Sequence, residues 1–573
     1  MRFPGALFNI QKPLRPFLFV PAPVRIPPVN RPAPILVAAI NARHSHASMG
    51  ARCLLANLGD LRPQADLAEF TIQQSAAEIA GTLAARNPII LGLGVYIWNA
   101  ARVAELLPLL RHKLPDMKIA LGGPEIAEFD PPGQRPGRQS IRRNAVAQGI
   151  DLGGCCDFRI LGEGDLAFAA LCRDALAGRP TGRIMRAPPP DLADVRMPYD
   201  EYTDADLAHR LLYVESSRGC AMRCDYCVSA NDESVRFFPM PALLAAFDTL
   251  LARGARQFKF CDRSFNLDVP RALEILAFFR ERLPRFPGLF LHFEMLPDRF
   301  PTELREALAA FPPRSLQLEI GLQSFNPKVL ETIRRPQNLE RAADNLRFLR
   351  ERTHAFLHTD LIAGLPGETP ESFAAGFDRL VALAPHEIQL GILKKLPGAP
   401  IARHDDEFAM RYDPAPPYEV RSNRDWPADH LARTARFAHY WDAFFNSQRF
   451  IPAAPLIWQN QPSVFGAFME LSDWLAARFP REHGVPLAAL VEALFGFLTQ
   501  VRGVAPAAAA DALLRGYRHA GARDVPAALA PHAPADLPPP TCGLPKPLRR
   551  QFLRWTWGKA NQRGCFHPNP ELQ

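Results

Sequence analysis

This 573-residue chain lacks several features, and each absence narrows the possibilities. No apolar run reaches the ~20 residues that a membrane span requires. No acidic residue occurs from Met1 to Pro34, where Arg2, Lys12, Arg15, Arg25 and Arg31 stand among repeated prolines. The apolar stretch Phe17–Val20 is too short for the core of a secretion signal and runs into prolines. Residues 1–30 therefore read as a disordered tail or an over-long gene start rather than a targeting peptide, and the expected compartment is the cytoplasm. Charge of one sign is in modest excess, +8 overall. That balance is too small to imply nucleic acid and would suit an acidic electron-transfer partner or simply a solvated basic surface. The 58 prolines gather into no low-complexity tract. Ten cysteines are present, yet only Cys220, Cys224 and Cys227 have the spacing of metal ligands. Cys53, Cys172, Cys261, Cys542 and Cys565 sit singly, and the adjacent Cys155 and Cys156 cannot easily bridge. These read as buried thiols rather than disulfides.

What is present is ordinary for a globular protein: 48% hydrophobic and 22% charged residues. At ~150 residues per domain, three or four domains are expected. From Ile35 onward, short apolar runs alternate with amphipathic stretches. Ile35–Ile40, Leu67–Ile72, Ile89–Val95, Lys118–Leu121 and Phe158–Leu161 read as buried strands. Ala51–Leu58, Ala76–Ala85 and Ala101–Leu110 read as the intervening helices, and a polar stretch rich in Arg and Gly precedes the fifth strand. This alternation implies a parallel sheet covered on both faces, so residues 31–194 are expected to form a flavodoxin-like, Rossmann-like doubly wound domain. Ligands in such sheets bind at strand C-termini. Gly122-Gly123-Pro124 and Gly162-Glu163-Gly164 lie there.

The proline-rich Ala187–Pro198 reads as a linker. Residues 195–400 carry six further strands: Leu211–Glu215, Gln257–Cys261, Leu289–Glu294, Ser315–Ile320, Leu357–Ile362 and Glu387–Leu393. Six strand–helix repeats predict a partial (β/α)6 TIM-type barrel, smaller than the ~250 residues of the eightfold form. Beyond Pro400 the alternation stops. Ala428–Asn446, Val464–Ala477 and Leu487–Gly503 predict a mostly helical C-terminal domain over 401–573, placed to cap the barrel mouth. Its last stretch, Leu548–Gly564, is basic and contains Trp555 and Trp557.

The cysteine group follows the first barrel strand: Glu215-Ser216-Ser217-Arg218-Gly219-Cys220-Ala221-Met222-Arg223-Cys224-Asp225-Tyr226-Cys227. Thiolates suit iron–sulfur clusters, which usually take four cysteines. Three at C-x3-C-x2-C spacing let one loop wrap one cube and leave one iron open. Zinc sites typically pair two CxxC arms, and no second arm lies nearby.

This segment resembles the signature of the radical S-adenosylmethionine (SAM) superfamily, Tyr226 included. The resemblance implies a [4Fe–4S] cluster on Cys220, Cys224 and Cys227, with SAM on the open iron. It also implies SAM contacts from Tyr226 and from strand ends: Asp262 and Arg263, Glu294, then Glu319, Gln323 and Ser324. Ile362 and Gly364, in the run from Asp360 to Glu368, would lie beside adenine. Each of these could instead be a structural salt bridge or a packing residue.

A flavodoxin-like domain before such a barrel resembles the cobalamin-dependent class of that superfamily. The likeness is to a bacterial group with a helical C-terminal extension, and it covers Ile35 to Pro400. It implies cobalamin contacts from His44, Ser45, His46, Gly50, Tyr96, Gly122, Gly123, Gly162, Glu163 and Gly164. Glycine there would permit close backbone approach to the corrin and its nucleotide tail. Many cobalamin domains carry D-x-H-x-x-G, whose His ligates cobalt. Here Asn41 to Gly50 offers no Asp at the right offset, so His44 and His46 read as loop contacts rather than cobalt ligands. Tyr96 and Trp98 would flank the corrin or pack in the core.

The resemblance implies an enzyme that reductively cleaves SAM to a 5′-deoxyadenosyl radical and modifies a small-molecule substrate, by methyl transfer or by C–C bond or ring chemistry. A ferredoxin or flavodoxin-type reductant would serve it. No nucleic acid and no membrane span are expected. Two alternatives stay open: a radical SAM enzyme whose N-terminal domain no longer binds cobalamin, and a non-catalytic iron–sulfur electron carrier or redox sensor.

Overall fold

The computed structural model describes residues 33–126, 155–179, 181–232 and 234–537. The expected N-terminal tail, the Arg- and Gly-rich stretch before Gly154, Cys542, Cys565 and the basic segment with Trp555 and Trp557 lie outside the described residues.

The N-terminal unit is built on parallel strands β1 (Ile35–Asn41), β2 (Ala65–Thr71), β3 (Ile90–Gly94), β4 (Lys118–Gly122), β5 (Phe158–Gly162) and β6 (Ile184–Ala187), in the order β2-β1-β3-β4-β5-β6. Every residue of β1 is buried, as a central strand covered on both faces requires. Helices 49–56 and 76–86 start at the residues that can cap them. Ser48 accepts from the Ala51 amide, and Ser75 forms a reciprocal capping box with Glu78. The order reverses between β1 and β3, which makes that crevice the topological switch point.

Five strands were expected here, and the sheet has six. β6 ends at Ala187, where the supposed linker begins. Its residues are half-exposed and only four long, so it shows no buried apolar run. It pairs with β5 from Arg159↔Ile184 to Gly162↔Ala187.

The second sheet begins with β7 (Leu212–Val214). The antiparallel pair β8 (Ser217–Arg218) and β9 (Arg236–Phe237) stands beside it. The sheet continues through β10 (Gln257–Phe260), β11 (Phe290–Met295), β12 (Leu316–Gln323), β13 (Phe356–Ala363) and β14 (Glu387–Ile392). All six strands are parallel, in the order β14-β13-β12-β11-β10-β7, which is the expected open six-stranded partial barrel.

The helical region does not form a core of its own. Its aromatic residues Phe437, Trp441 and Trp458 belong to the same buried cluster as the barrel strands and helices. Phe377 of helix 370–382 packs edge-on against Phe437 and Trp441. The short π-helical turn Asp442–Asn446 finishes the barrel edge. Asn446 accepts from the Ile388 amide at 3.1 Å and donates to the Ile388 carbonyl at 2.9 Å. A side-chain amide thus replaces the missing neighbour of edge strand β14. Helix 506–519, which sequence reading passed over, completes this region. No helix among the described residues is long and apolar enough to cross a membrane.

Buried ion pairs join the two sheets. Arg52 is 1% exposed and pairs with Glu69 and with Asp206, both at 2.8 Å. Leaving one such carboxylate unpaired costs about 3–5 kcal/mol. The pair therefore fixes the N-terminal sheet against helix 204–209 at the barrel entrance. The Leu211 amide also donates to Ser45 O at 2.9 Å, stitching the loop after β1 to the start of the barrel.

Candidate active site

The loop after β7 carries the three cysteines into one cavity of about 370 Å³ at the barrel mouth. Gly219 enables the turn into them. Its φ is +95°, and a Cβ there would run into the carbonyl of Ser234. The Met222 amide donates to Cys220 Sγ at 3.4 Å, and the Cys227 amide donates to Cys224 O at 3.1 Å, so backbone amides hold the loop around its thiols. Asp225, fully buried, faces away and is held by His404 Nε2 at 2.8 Å and by Arg403 at 3.3 Å. The turn that follows β14 therefore clamps the cysteine loop.

Arg335 is the residue that sequence reasoning missed. It is 8% exposed and donates to Cys224 Sγ at 3.5 Å, to Tyr226 Oη at 3.1 Å and to Gly321 O. A guanidinium beside a thiolate stabilises negative charge on sulfur. Nothing in its local sequence marks it, because it lies more than a hundred residues from the cysteines.

Of the expected SAM contacts, Tyr226, Glu294, Glu319, Gln323 and Ile362 line this cavity together with Arg263. Two do not. Asp262 is 1% exposed, and its carboxylate accepts from the Ser216 amide at 2.9 Å and from the Ser216 and Ser217 hydroxyls at 2.6 Å. It anchors the start of the cysteine loop instead of facing the cavity. Gly364 has φ +85° and faces the C-terminal region, where a Cβ would meet Val420 at 2.6 Å, and its carbonyl accepts from Asn423. Ser324 donates to Glu368 at 2.5 Å away from the cavity.

The cavity carries concentrated charge. Burial, reinforced by Glu319, pushes Glu294 up to about 7. Burial works against charge on Glu319 too, but contacts from His292 and Lys259 hold it well below the usual carboxylate range. Burial likewise opposes charge on His358, and Asp360 outweighs it, pushing that imidazole up to about 9.

A second cavity, of about 400 Å³, opens at the C-terminal ends of β1, β3, β4 and β5. Its lining is small and apolar: Ala38, Ala39, Ala51, Gly92, Gly94 and Ala120, with Gly50, Tyr96, Gly122, Gly123, Gly162, Glu163 and Gly164 at its rim. The barrel contributes Glu215, Arg218 and Cys261 to the same cavity. Arg218, two residues before Cys220, bridges the units. It reaches Glu163 at 2.8 Å, Asp165 at 2.8 Å and Glu215 at 2.7 Å. Burial pushes Tyr96 up to about 12, so its phenol stays neutral.

His44, Ser45 and His46 stand outside this cavity. His44 contacts Arg210, Ser45 supports Leu211, and His46 Nδ1 meets Tyr213 Oη at 2.5 Å. These are contacts of the joint between the sheets. Trp98 is likewise outside, 47% exposed, and stacks on Tyr96 at 4.6 Å. The glycines differ in cause. Gly123 and Gly162 have φ near +100°, and a Cβ on either would strike backbone, Val95 O at 2.5 Å in one case and the Ala187 carbonyl in the other. Chain packing alone demands them. Gly122 is free of that demand, since a Cβ there meets only Ile160 O at 4.0 Å.

The family described as the radical SAM superfamily matches residues 214–380, from the last residue of β7 through the cysteine loop and strands β10 to β13. The chain carries a radical SAM domain over that stretch. A second family, described as a protein of unknown function (DUF4080), matches residues 406–517. The chain is 27% identical over 363 residues to a 2-(S-pantetheinyl)-carbapenam-3-carboxylate methyltransferase of Streptantibioticus cattleyicolor, covering 58% of this chain and 49% of that protein. It is 26% identical over 376 residues to the cobalamin-dependent radical SAM methyltransferase TokK of Streptomyces tokunonensis, covering 58% and 51%. The chain thus spans about half the length of these curated relatives. In fold it resembles the cobalamin-dependent radical enzyme OxsB with aqua-cobalamin bound, at a TM-score of 0.56 and 12% identity, covering 91% of this chain and 83% of that one.

A radical SAM domain implies a [4Fe–4S] cluster and SAM, and the donor set fits both: three thiols in one cavity, an arginine on one sulfur, and polar strand ends around them. The tie from Arg335 is testable. Arg335→Lys keeps the charge but loses the fork that joins Cys224, Tyr226 and Gly321. It should leave the iron content intact while slowing 5′-deoxyadenosine formation roughly tenfold. Unchanged nucleoside production would assign Arg335 to packing alone.

Proposed function

We propose that this chain is a cobalamin-dependent radical SAM enzyme that transfers a methyl group to a small-molecule substrate. The observation that carries the reading is the continuity of one short loop. Glu215 and Arg218 line the N-terminal cavity, and Cys220, Cys224 and Cys227, just beyond them, line the barrel cavity. Both cavities open at strand C-termini, where sheets of this kind bind ligands.

In this reading Cys220, Cys224 and Cys227 would hold the cluster, which when bound would supply the electron for SAM cleavage. Tyr226, Glu294 and Gln323 give polar contacts around the bound SAM, and Ile362 gives adenine an apolar face. The N-terminal cavity suits the aromatic base of a cobalamin tail, being apolar, walled by Ala and Gly, and within the usual size of cofactor pockets. Cobalamin supplies a methyl carrier. No histidine lines that cavity among the described residues, so the chain offers cobalt no imidazole there. Tyr96, kept neutral by burial, and the Arg218 ion network close the cavity on the barrel side. TokK and OxsB, named as cobalamin-dependent, support this assignment. The expected reductant is an acidic ferredoxin or flavodoxin-type protein, to which the +8 charge is complementary.

Product stoichiometry tests methyl transfer. One SAM supplies the methyl group and a second supplies the radical, so S-adenosylhomocysteine and 5′-deoxyadenosine should form in a ratio of about one once substrate is present. Deoxyadenosine alone would rule out methylation and favour a ring-forming or rearranging reaction.

A further inference from the structure

The inside of the barrel is unusual. Barrels of this type are filled by layers of branched apolar side chains. Here Lys259 of β10, His292 of β11, Glu319 of β12, and His358 and Asp360 of β13 all lie on the inner side. Glu319 and Asp360 line the same cavity as the cysteines. Strand register sets the group. Lys259 pairs with His292, Glu319 with His358, and Gly321 with Asp360.

Three of these residues offer donor atoms that all lie within 4.8 Å of one another: Glu319, His358 and Asp360. His292 Nε2 stands 2.9 Å from Glu319, and His358 Nε2 stands 3.3 Å from Asp360. Both contacts are off the direction a hydrogen bond needs. His292 Nε2, His358 Nε2 and Asp360 Oδ1 are consequently buried without a hydrogen-bond partner. His292 and His358 are each only 8% exposed. Buried polar atoms are nearly always satisfied, and orphans grouped around one point call for a shared partner such as an ion.

We propose that Glu319, His358 and Asp360, with His292 as a fourth donor, form a second metal site for a divalent first-row transition ion, separate from the three cysteines. Imidazole and carboxylate together select Mn, Fe or Zn over Mg or Ca. Lys259, 3.2 Å from Glu319, offsets one of the two carboxylates. With three or four protein donors the ion keeps open positions toward the cavity. An oxygen of the substrate, from a carboxylate or carbonyl, can occupy one. That last step rests on the barrel being the reaction chamber; the metal site does not.

The test uses full-length protein reconstituted anaerobically, its cluster in the diamagnetic oxidised state and without cobalamin. Mn²⁺ is titrated, and free Mn²⁺ is read from its six-line paramagnetic resonance signal, which neither the cluster nor SAM cleavage affects. About one Mn²⁺ per chain should bind and be displaced by Zn²⁺, and His358→Gln and Asp360→Asn should each weaken binding roughly tenfold or more. The iron content of the variants reports that they fold. Failure of Mn²⁺ to bind the intact protein, or binding unchanged in both variants, would overturn the site whatever the enzyme's activity.

Discussion

Cys224→Ala should leave a folded protein with less than about one iron per chain and no 5′-deoxyadenosine above background. Cys224 is buried, lines the barrel cavity with Cys220 and Cys227, and bears the Arg335 contact on its sulfur. A cube held by three thiolates has no spare ligand, so the loss of one is the loss of the site. The fold should survive because the loop is held independently of that sulfur, by Asp225 with His404 and by Asp262 with Ser216 and Ser217. Cys261 is the natural control. It lies just past β10 and lines the other cavity, so Cys261→Ser should retain the cluster. Full iron and SAM cleavage in Cys224→Ala would place the cluster elsewhere.

The second large effect concerns the N-terminal cavity. Gly122→Leu should weaken cobalamin binding by about 100-fold, some 2.7 kcal/mol, while leaving iron content and melting temperature near those of the parent. The position allows it. Gly122 ends a strand, needs no left-handed backbone, and has nothing within reach of a Cβ but a carbonyl at 4.0 Å. An isobutyl group there fills space rather than displacing protein. Gly162→Ala is the contrasting variant. At φ +95° and against the Ala187 carbonyl it should destabilise the sheet itself, by strain of about 1–3 kcal/mol before the clash is counted. Equal cobalamin affinity in Gly122→Leu and the parent, measured by absorption titration with hydroxocobalamin, would show that this cavity does not hold the cofactor.

These two glycines also show what could and could not be read from sequence. Gly122, Gly123, Gly162 and Gly164 were all read as ligand-facing, and all do line the cavity. Only the structure separates the two whose backbone packing demands glycine from the one left open. The strands were legible because β1, β3 and β4 are buried nearly throughout and show as uninterrupted apolar runs. The half-exposed edge strand β6 has no such run, and sequence reading leaves it unassigned just ahead of the linker. The cysteines were legible because their chemistry sits within eight residues. Arg335 and the His292–His358 pair were not, since strand register and helix packing bring them together from distant segments. Asp262 and Gly364 were placed at the correct strand ends. A strand end does not say which way a side chain turns, and these turn to the cysteine-loop anchor and to the C-terminal region.

The central claim is that one chain carries a SAM-cleaving cluster and a cobalamin together. It is tested most directly by measuring iron, cobalamin and 5′-deoxyadenosine on a single anaerobically reconstituted sample supplied with SAM and a strong reductant. The account predicts about four irons and about one cobalamin per chain, with 5′-deoxyadenosine formed. A sample that retains no cobalamin, or that holds its iron yet forms no deoxyadenosine, would contradict it.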